Sequence, residues 1–161
     1  MKSKAIVTLA DSNYFELLLE LIASIKKHKE SENVSICVLD AGLDEKQIEI
    51  LKSKTDIIKK AKWDIEVPSY KVAGREWLKS QVSRAFLPEY FPDFEKYLWI
   101  DCDAWVNSWH AVDLFFKACE NEKLGITQTI TPGYRVLSKV QWIFGKLATI
   151  KSQNYKHANS S

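Results

Sequence analysis

The strongest chemical signal in this sequence is a pair of aspartates one residue apart, Asp101 and Asp103, in the run Tyr97-Leu98-Trp99-Ile100-Asp101-Cys102-Asp103-Ala104-Trp105-Val106. Four apolar residues precede the pair and a further apolar run follows it, so both acids are held at the end of a buried strand with little freedom. Two carboxylates separated by one residue of extended chain point the same way, and they repel each other unless a cation or protons neutralise them. A hard divalent ion, Mn²⁺ or Mg²⁺, bound by carboxylate oxygens and by the phosphate oxygens of a substrate, resolves that repulsion. The bland alternative for a bare D-x-D triplet is two solvated loop aspartates, one of them capping a turn. The strand in front of the pair weighs against it.

A second group of polar residues, Asp11-Ser12-Asn13-Tyr14, follows the apolar run Ile6-Val7-Thr8-Leu9. Two readings stand side by side here. Asn13 with Glu16 three residues later makes a helix cap. Alternatively, the turn grips a nucleotide base or ribose, with Tyr14 free to stack. The turn contains neither G-x-G-x-x-G nor G-x-x-x-x-G-K-[ST], which argues against dinucleotide cofactors and P-loop chemistry. Arg84, taken alone, is a surface arginine on a helix. His28, His110 and His157 have no metal-ligand spacing, and His28 and His110 read as surface or capping residues. Cys37, Cys102 and Cys119 are an odd number without C-x-x-C spacing. That pattern suits a reduced, cytoplasmic compartment rather than a disulfide framework or a zinc site.

The elements that must position these groups alternate between β-type runs and helical periodicity. Ile6–Leu9 and Val34–Leu39 read as buried strands, the second ending at Asp40-Ala41-Gly42. Leu18, Leu21, Ile22 and Ile25 repeat at helical spacing, with Lys26, Lys27 and Lys29 at the end where the helix dipole favours cations. Asp44 with Gln47 is a capping box for a helix through Ile48 and Leu51. A weaker strand is expected around Ile65–Val67, stopped by Pro68. A helix follows whose buried face is Trp77, Leu78, Val82, Ala85 and Phe86, ended by Pro88. Tyr97–Ile100 is the strand before the acidic pair, and Leu124–Thr127 is expected to be another. Strand and helix in alternation imply right-handed crossovers and a mainly parallel sheet, a Rossmann-like three-layer α/β/α fold. Ligands of such sheets bind at the carboxyl ends of the strands. Asp11, Asp40 and the Asp101/Asp103 pair all fall at that edge.

With 161 residues, 46% hydrophobic and 27% charged, the composition is that of one globular α/β domain. The net charge of +2 gives no case for a nucleic-acid partner. No run approaches the roughly 20 apolar residues of a membrane span, and the apolar run from Ala5 to Ala10 is too short for a signal-peptide core. The segment Gly133–His157 carries Arg135, Lys139, Lys146, Lys151 and Lys156 without an acid, interleaved with Trp142, Ile143, Phe144 and Leu147. It reads either as a solvated helix face or as a surface for peripheral contact with anionic lipid. The expected organisation is a core over residues 1–130 and a basic, apolar tail over residues 131–161.

Four segments in order resemble glycosyltransferase family 8. Ile6-Val7-Thr8-Leu9-Ala10-Asp11-Ser12-Asn13-Tyr14 resembles its first strand and nucleotide loop, and Val38-Leu39-Asp40-Ala41-Gly42-Leu43 its second strand and turn. Gln81-Val82-Ser83-Arg84-Ala85-Phe86-Leu87-Pro88 is similar to its donor-contacting helix, and residues 97–106 to its metal-binding D-x-D strand. The resemblance runs from about residue 5 to residue 130. It implies the nucleotide-diphospho-sugar transferase (GT-A) fold, a UDP-sugar-like donor, Mn²⁺ or Mg²⁺, and hexosyl transfer with retention to a glycan, lipid-linked or protein acceptor hydroxyl. Transferred residue by residue, it makes Asp11, Asn13 and Tyr14 the holders of base and ribose. Leu9, Ala10 and Cys102 join them in donor binding, and Arg84 contacts the donor near its diphosphate or sugar. Asp101 and Asp103 hold the metal, with Asp103 the closer ligand, and no catalytic group is assigned.

Family members continue with an acceptor-side segment and a downstream histidine that completes the metal shell. Gln128-Thr129 stands where an acid is expected, and no acceptor-side pattern follows Gly125. The sequence is therefore expected to hold the donor-binding half and to transfer sugar poorly by itself. Two rival readings remain. One is a non-catalytic nucleotide-sugar-binding module. The other is a phosphotransferase of the haloacid dehalogenase type, which requires its aspartates on the first strand.

Overall fold

In a computed structural model, residues 2–120 and 124–125 are described; the tail from residue 126 onward, with its basic residues and Gln128-Thr129, lies outside them. The chain builds β1 (Lys4–Ala10), α1 (Phe15–Lys26), β2 (Ser35–Asp40), α2 (Glu45–Lys52), β3 (Ile57–Lys60), three short helices α3 (Ser69–Val72), α4 (Lys79–Ser83) and α5 (Leu87–Tyr90), then β4 (Lys96–Trp99) and α6 (Trp109–Ala118). Four strands form one sheet in the order β3-β2-β1-β4, every neighbouring pair parallel. This is the α/β class expected from the alternating pattern.

Burial on both faces explains why β1 and β2 read as unbroken apolar runs rather than alternating ones. Alternate side chains of β1 enter opposite layers. Ile6 and Ala10 pack with Leu18, Leu21, Ile22 and Ile25 of α1 and with Val112 and Phe116 of α6. Ala5, Val7 and Leu9 pack with Leu87, Tyr90 and Phe91 on the other side. Helices thus cover both faces, giving three layers. The periodicity assigned to α1 is the one observed, with Leu18, Leu21, Ile22 and Ile25 all buried. The Asp44/Gln47 capping box at the start of α2 also forms: the Asp44 carboxylate accepts from the Gln47 N–H and the Gln47 amide oxygen from the Asp44 N–H.

Two expectations fail for physical reasons, and a third lies partly outside the described residues. The strand placed at Ile65–Val67 is absent; Ile65 is exposed, and the third strand is β3 at Ile57–Lys60. Only two apolar residues precede its lysines, and the strand lies half-buried at the sheet edge, too short a run to show a period. The helix expected across residues 77–86 is broken into a 3-10 turn at Glu76–Leu78, then α4, then α5. Trp77 is 50% exposed rather than buried, and Pro88 lies in the first turn of α5 rather than ending a helix. The strand expected at Leu124–Thr127 shows no regular structure at Leu124 and Gly125, and its remaining residues lie outside the described ones. No helix among the described residues is long and apolar enough to cross a membrane.

Candidate functional site

Strand order determines where an open parallel sheet presents a crevice. From β1 the chain moves to β2 and β3 on one side, and later places β4 on the other side of β1. The order therefore reverses between β1 and β4, and the loops leaving their carboxyl ends diverge there. Crevices at such reversals are the habitual ligand sites of open α/β sheets. Here the crevice is a cleft of about 450 Å³ lined by Leu9, Ala10, Asp11, Asn13 and Tyr14 from the end of β1, Arg84 from the end of α4, and Asp101, Cys102 and Asp103 from the end of β4. All nine residues singled out in the sequence come together in it. Asp40, the third acid at the same sheet edge, is not among the lining residues.

The turn after β1 is built by Asp11. Its Oδ1 accepts from the backbone N–H groups of Asn13 (2.9 Å) and Tyr14 (3.2 Å), capping a 3-10 turn over Ser12–Tyr14 that leads into α1. The alternative in which Asn13 caps the helix is not realised: α1 has no side-chain cap at its start. Asn13 and Tyr14 stay exposed, and Tyr14 presents 45% of its surface. The Ser12 hydroxyl and backbone N–H both reach the Gly42 carbonyl (2.6 and 3.2 Å), tying this turn to the one after β2. Gly42 has φ +135°, a conformation that a side chain would strain.

At the end of β4, Asp101 Oδ1 accepts from the Arg84 guanidinium (2.7 Å) and from Trp99 Nε1 (2.8 Å). Arg84 also lies over the Trp99 ring, 5.0 Å from its centroid. Trp99 was read from the sequence only as a buried strand residue. Its spacing of two from Asp101 puts both side chains on one side of the extended chain, which is the signal that could have revealed the contact. The ion pair is substantially exposed, 39% for Arg84 and 55% for Asp101, so it contributes at most about 1 kcal/mol. Its significance is electrostatic: a guanidinium already neutralises one of the two acids. Asp103 forms no hydrogen bond or ion pair with any described residue and stands exposed in the cleft. Cys102, between them, has its thiol pushed up to about 11, first by burial and then by the Asp103 charge.

The loop after β4 is held from below by α1. The Val106 N–H donates to Ser24 Oγ (3.0 Å), and the Val106 carbonyl lies 3.2 Å from His28 Nε2. Ser24 lies in the last turn of α1, and His28 lies just beyond the end of that helix. His28 is half-buried and stands, as a capping residue, at the N-cap of the 3-10 turn Lys29–Asn33, while its ring, rather than capping that turn, meets the Val106 carbonyl.

The donor set suits a divalent ion that shares its coordination with a ligand. Two carboxylates offer oxygen-only ligation, and among the described residues no third His, Cys, Asp or Glu joins them in a metal-binding group. Such a pair fits Mn²⁺ or Mg²⁺ completed by phosphate oxygens and water. The cleft has further lining that sequence reasoning missed: Trp77, Ser80 and Gln81. With Arg84 they fall at i, i+3, i+4 and i+7, one face of a helical stretch. That spacing was legible, but Trp77 was assigned to the apolar side.

Fold and cleft together define an α/β domain with an acidic and aromatic ligand site at its strand-order reversal. The chain belongs to glycosyl transferase family 8, whose pattern matches residues 5–155. The match continues beyond residue 130, where the motifs recognised in the sequence ended. No curated protein matches the sequence. Among solved structures it is similar to the galactosyltransferase LgtC in complex with donor and acceptor sugar analogs, at 25% identity and a TM-score of 0.49. It is also similar to an active-site mutant of LgtC, at 24% identity and a TM-score of 0.48. Each alignment covers 67% of this chain and 41% of the LgtC chain, so the chain spans less than half the length of the structures it matches.

Proposed function

We propose that this domain binds a UDP-sugar together with Mn²⁺ or Mg²⁺ and serves the transfer of a hexose to an acceptor hydroxyl, with retention at the anomeric carbon. The observation that carries the proposal is the convergence of Asp11, Asn13, Tyr14, Arg84, Asp101 and Asp103 on one cleft at the reversal of strand order. In this reading Tyr14 stacks on the base, while Asn13 and the Asp11 oxygen not engaged in capping bind the ribose. Arg84 holds the donor at its diphosphate. Asp101 and Asp103 would hold the divalent ion, with Asp103 the nearer ligand because no protein group competes for it. When bound, the ion neutralises the charge that gathers on the departing diphosphate as the glycosidic C–O bond breaks. The chain's own part is to fix the diphosphate between Arg84 and the carboxylates, so that the bond that breaks lies in a defined place.

Family membership and the spacing of Asp101 and Asp103 support this reading over the phosphotransferase one, because the two acids follow the fourth strand rather than the first. The test is calorimetric titration of the 161-residue chain with UDP-hexoses, with and without Mn²⁺, alongside a transfer assay with simple sugar acceptors. Binding that requires Mn²⁺, with weak or no turnover, is the expected result. Robust turnover refutes the proposal that the chain is only a donor-binding half, and absence of UDP binding with the metal present refutes the whole reading.

A further inference from the structure

The cleft is lined by two aromatic-and-polar sets in addition to its charged groups. The first is Tyr14 with Asp11 and Asn13, from the turn after β1. The second is Trp77 with Ser80 and Gln81, from the 3-10 turn at Glu76–Leu78 and the first turn of α4. Arg84, Asp101 and Asp103 line the same cleft. Trp77 leaves half of its surface in solvent, although a ring of this size is ordinarily covered in a folded domain. The Ser80 hydroxyl and the Gln81 amide form no hydrogen bond with another described side chain or backbone group, so their donors and acceptors are available within the cleft. An apolar ring beside unengaged hydroxyl and amide groups complements a pyranose, which has C–H faces and a rim of hydroxyls.

We infer that Trp77, Ser80 and Gln81 recognise the sugar carried by the donor, Trp77 by covering a face of the ring and Ser80 and Gln81 by binding its hydroxyls. A nucleotide-sugar has two ring systems joined by a diphosphate, and the cleft offers two aromatic-and-polar sets together with charged groups. The set on the β1 turn takes the nucleoside, so the set on the 77–84 helical face takes the sugar. This inference rests on the proposed donor-binding function and adds the residues that select the hexose.

The experiment compares Trp77→Ala, Trp77→Phe and Gln81→Ala with the parent chain, using UDP, UDP-galactose and UDP-glucose in the presence of Mn²⁺. Trp77→Ala is expected to weaken UDP-hexose binding by about tenfold while leaving UDP within about twofold, an effect of the size an aromatic contact supplies. Trp77→Phe restores most of the loss, and Gln81→Ala alters the ratio between the two hexoses. Circular dichroism of each variant establishes that it is folded, and Trp77→Phe keeps the test open if the alanine variant is not. Equal weakening of UDP and UDP-hexose assigns Trp77 to the nucleoside and overturns the inference, as does no change in either. If the parent chain itself fails to bind UDP, it is the donor-binding reading that falls.

Discussion

The turn after β2 and the loop after β4 begin alike, with an aspartate at or just past the carboxyl end of a parallel strand at the same edge of the sheet, and they end with opposite uses for that acid. Asp40 is only 7% exposed, and its Oδ1 accepts from the backbone N–H groups of Gly42 (2.8 Å) and Leu43 (2.7 Å). It closes a turn. Asp101 and Asp103 are exposed, and what neutralises Asp101 is not the local backbone but Arg84, 17 residues earlier in the chain. Asp103 is matched by nothing among the described residues. An acid at a strand end is thus structural when local N–H groups take its lone pairs and available for a ligand when they do not. Asp11 lies between the two: one oxygen caps the turn, and the residue still lines the cleft.

The contrast is sharpest in substitutions that separate binding from stability. Asp103→Asn is expected to lower Mn²⁺-dependent UDP affinity by more than roughly 100-fold, beyond the range seen when a group behind a metal ligand is lost, with the unfolding midpoint unchanged. Asp40→Ala is expected to do the reverse. Two N–H groups in a partly buried turn lose their acceptor, costing about 2–3 kcal/mol in denaturant unfolding, and UDP affinity in the folded fraction stays near that of the parent. A loss of binding in Asp40→Ala as large as in Asp103→Asn would erase the distinction.

A smaller effect is expected beneath the loop. Ser24→Ala leaves the Val106 N–H without its acceptor, at a cost of about 1 kcal/mol. The same substitution loosens the loop bearing Asp101 and Asp103, so UDP affinity falls a few-fold even though Ser24 does not line the cleft. His28→Ala acts in the same direction through the Val106 carbonyl.

The smallest effect concerns the sheet itself. Burial is the main cause that pushes the Cys37 thiol from 9.0 up to about 12. A thiol that ionises less readily when folded favours the native state at pH values below its unfolded pKa, so stability declines as pH rises from about 9 towards 12. Cys37→Val flattens that decline in urea unfolding followed across this range.

Strong periodicity and the types of the site residues were legible in the sequence; geometry that depends on tertiary neighbours was not. α1 and the α2 capping box could be read because each is set by residues three or four apart. β3 could not, because its two apolar residues give no period and its strand character comes from pairing with β2. The 76–90 region misled for a related reason. Trp77 was counted as a core residue by its type, whereas the fold turns it towards the cleft alongside Ser80, Gln81 and Arg84. The nine residues that line the candidate cleft could be picked out because their motifs are local and ordered, but the Trp99 and Arg84 contacts to Asp101 and the support of Val106 by Ser24 and His28 link positions that only the folded chain brings together.

The most direct test is Mn²⁺ electron paramagnetic resonance on the 161-residue chain with and without UDP. The free-Mn²⁺ signal is expected to persist with protein alone, to fall when UDP is added to the parent chain or to Asp40→Asn, and to remain in Asp103→Asn. Loss of the free-ion signal in Asp103→Asn equal to that in the parent would contradict the assignment of Asp103 as the metal-binding acid of this cleft.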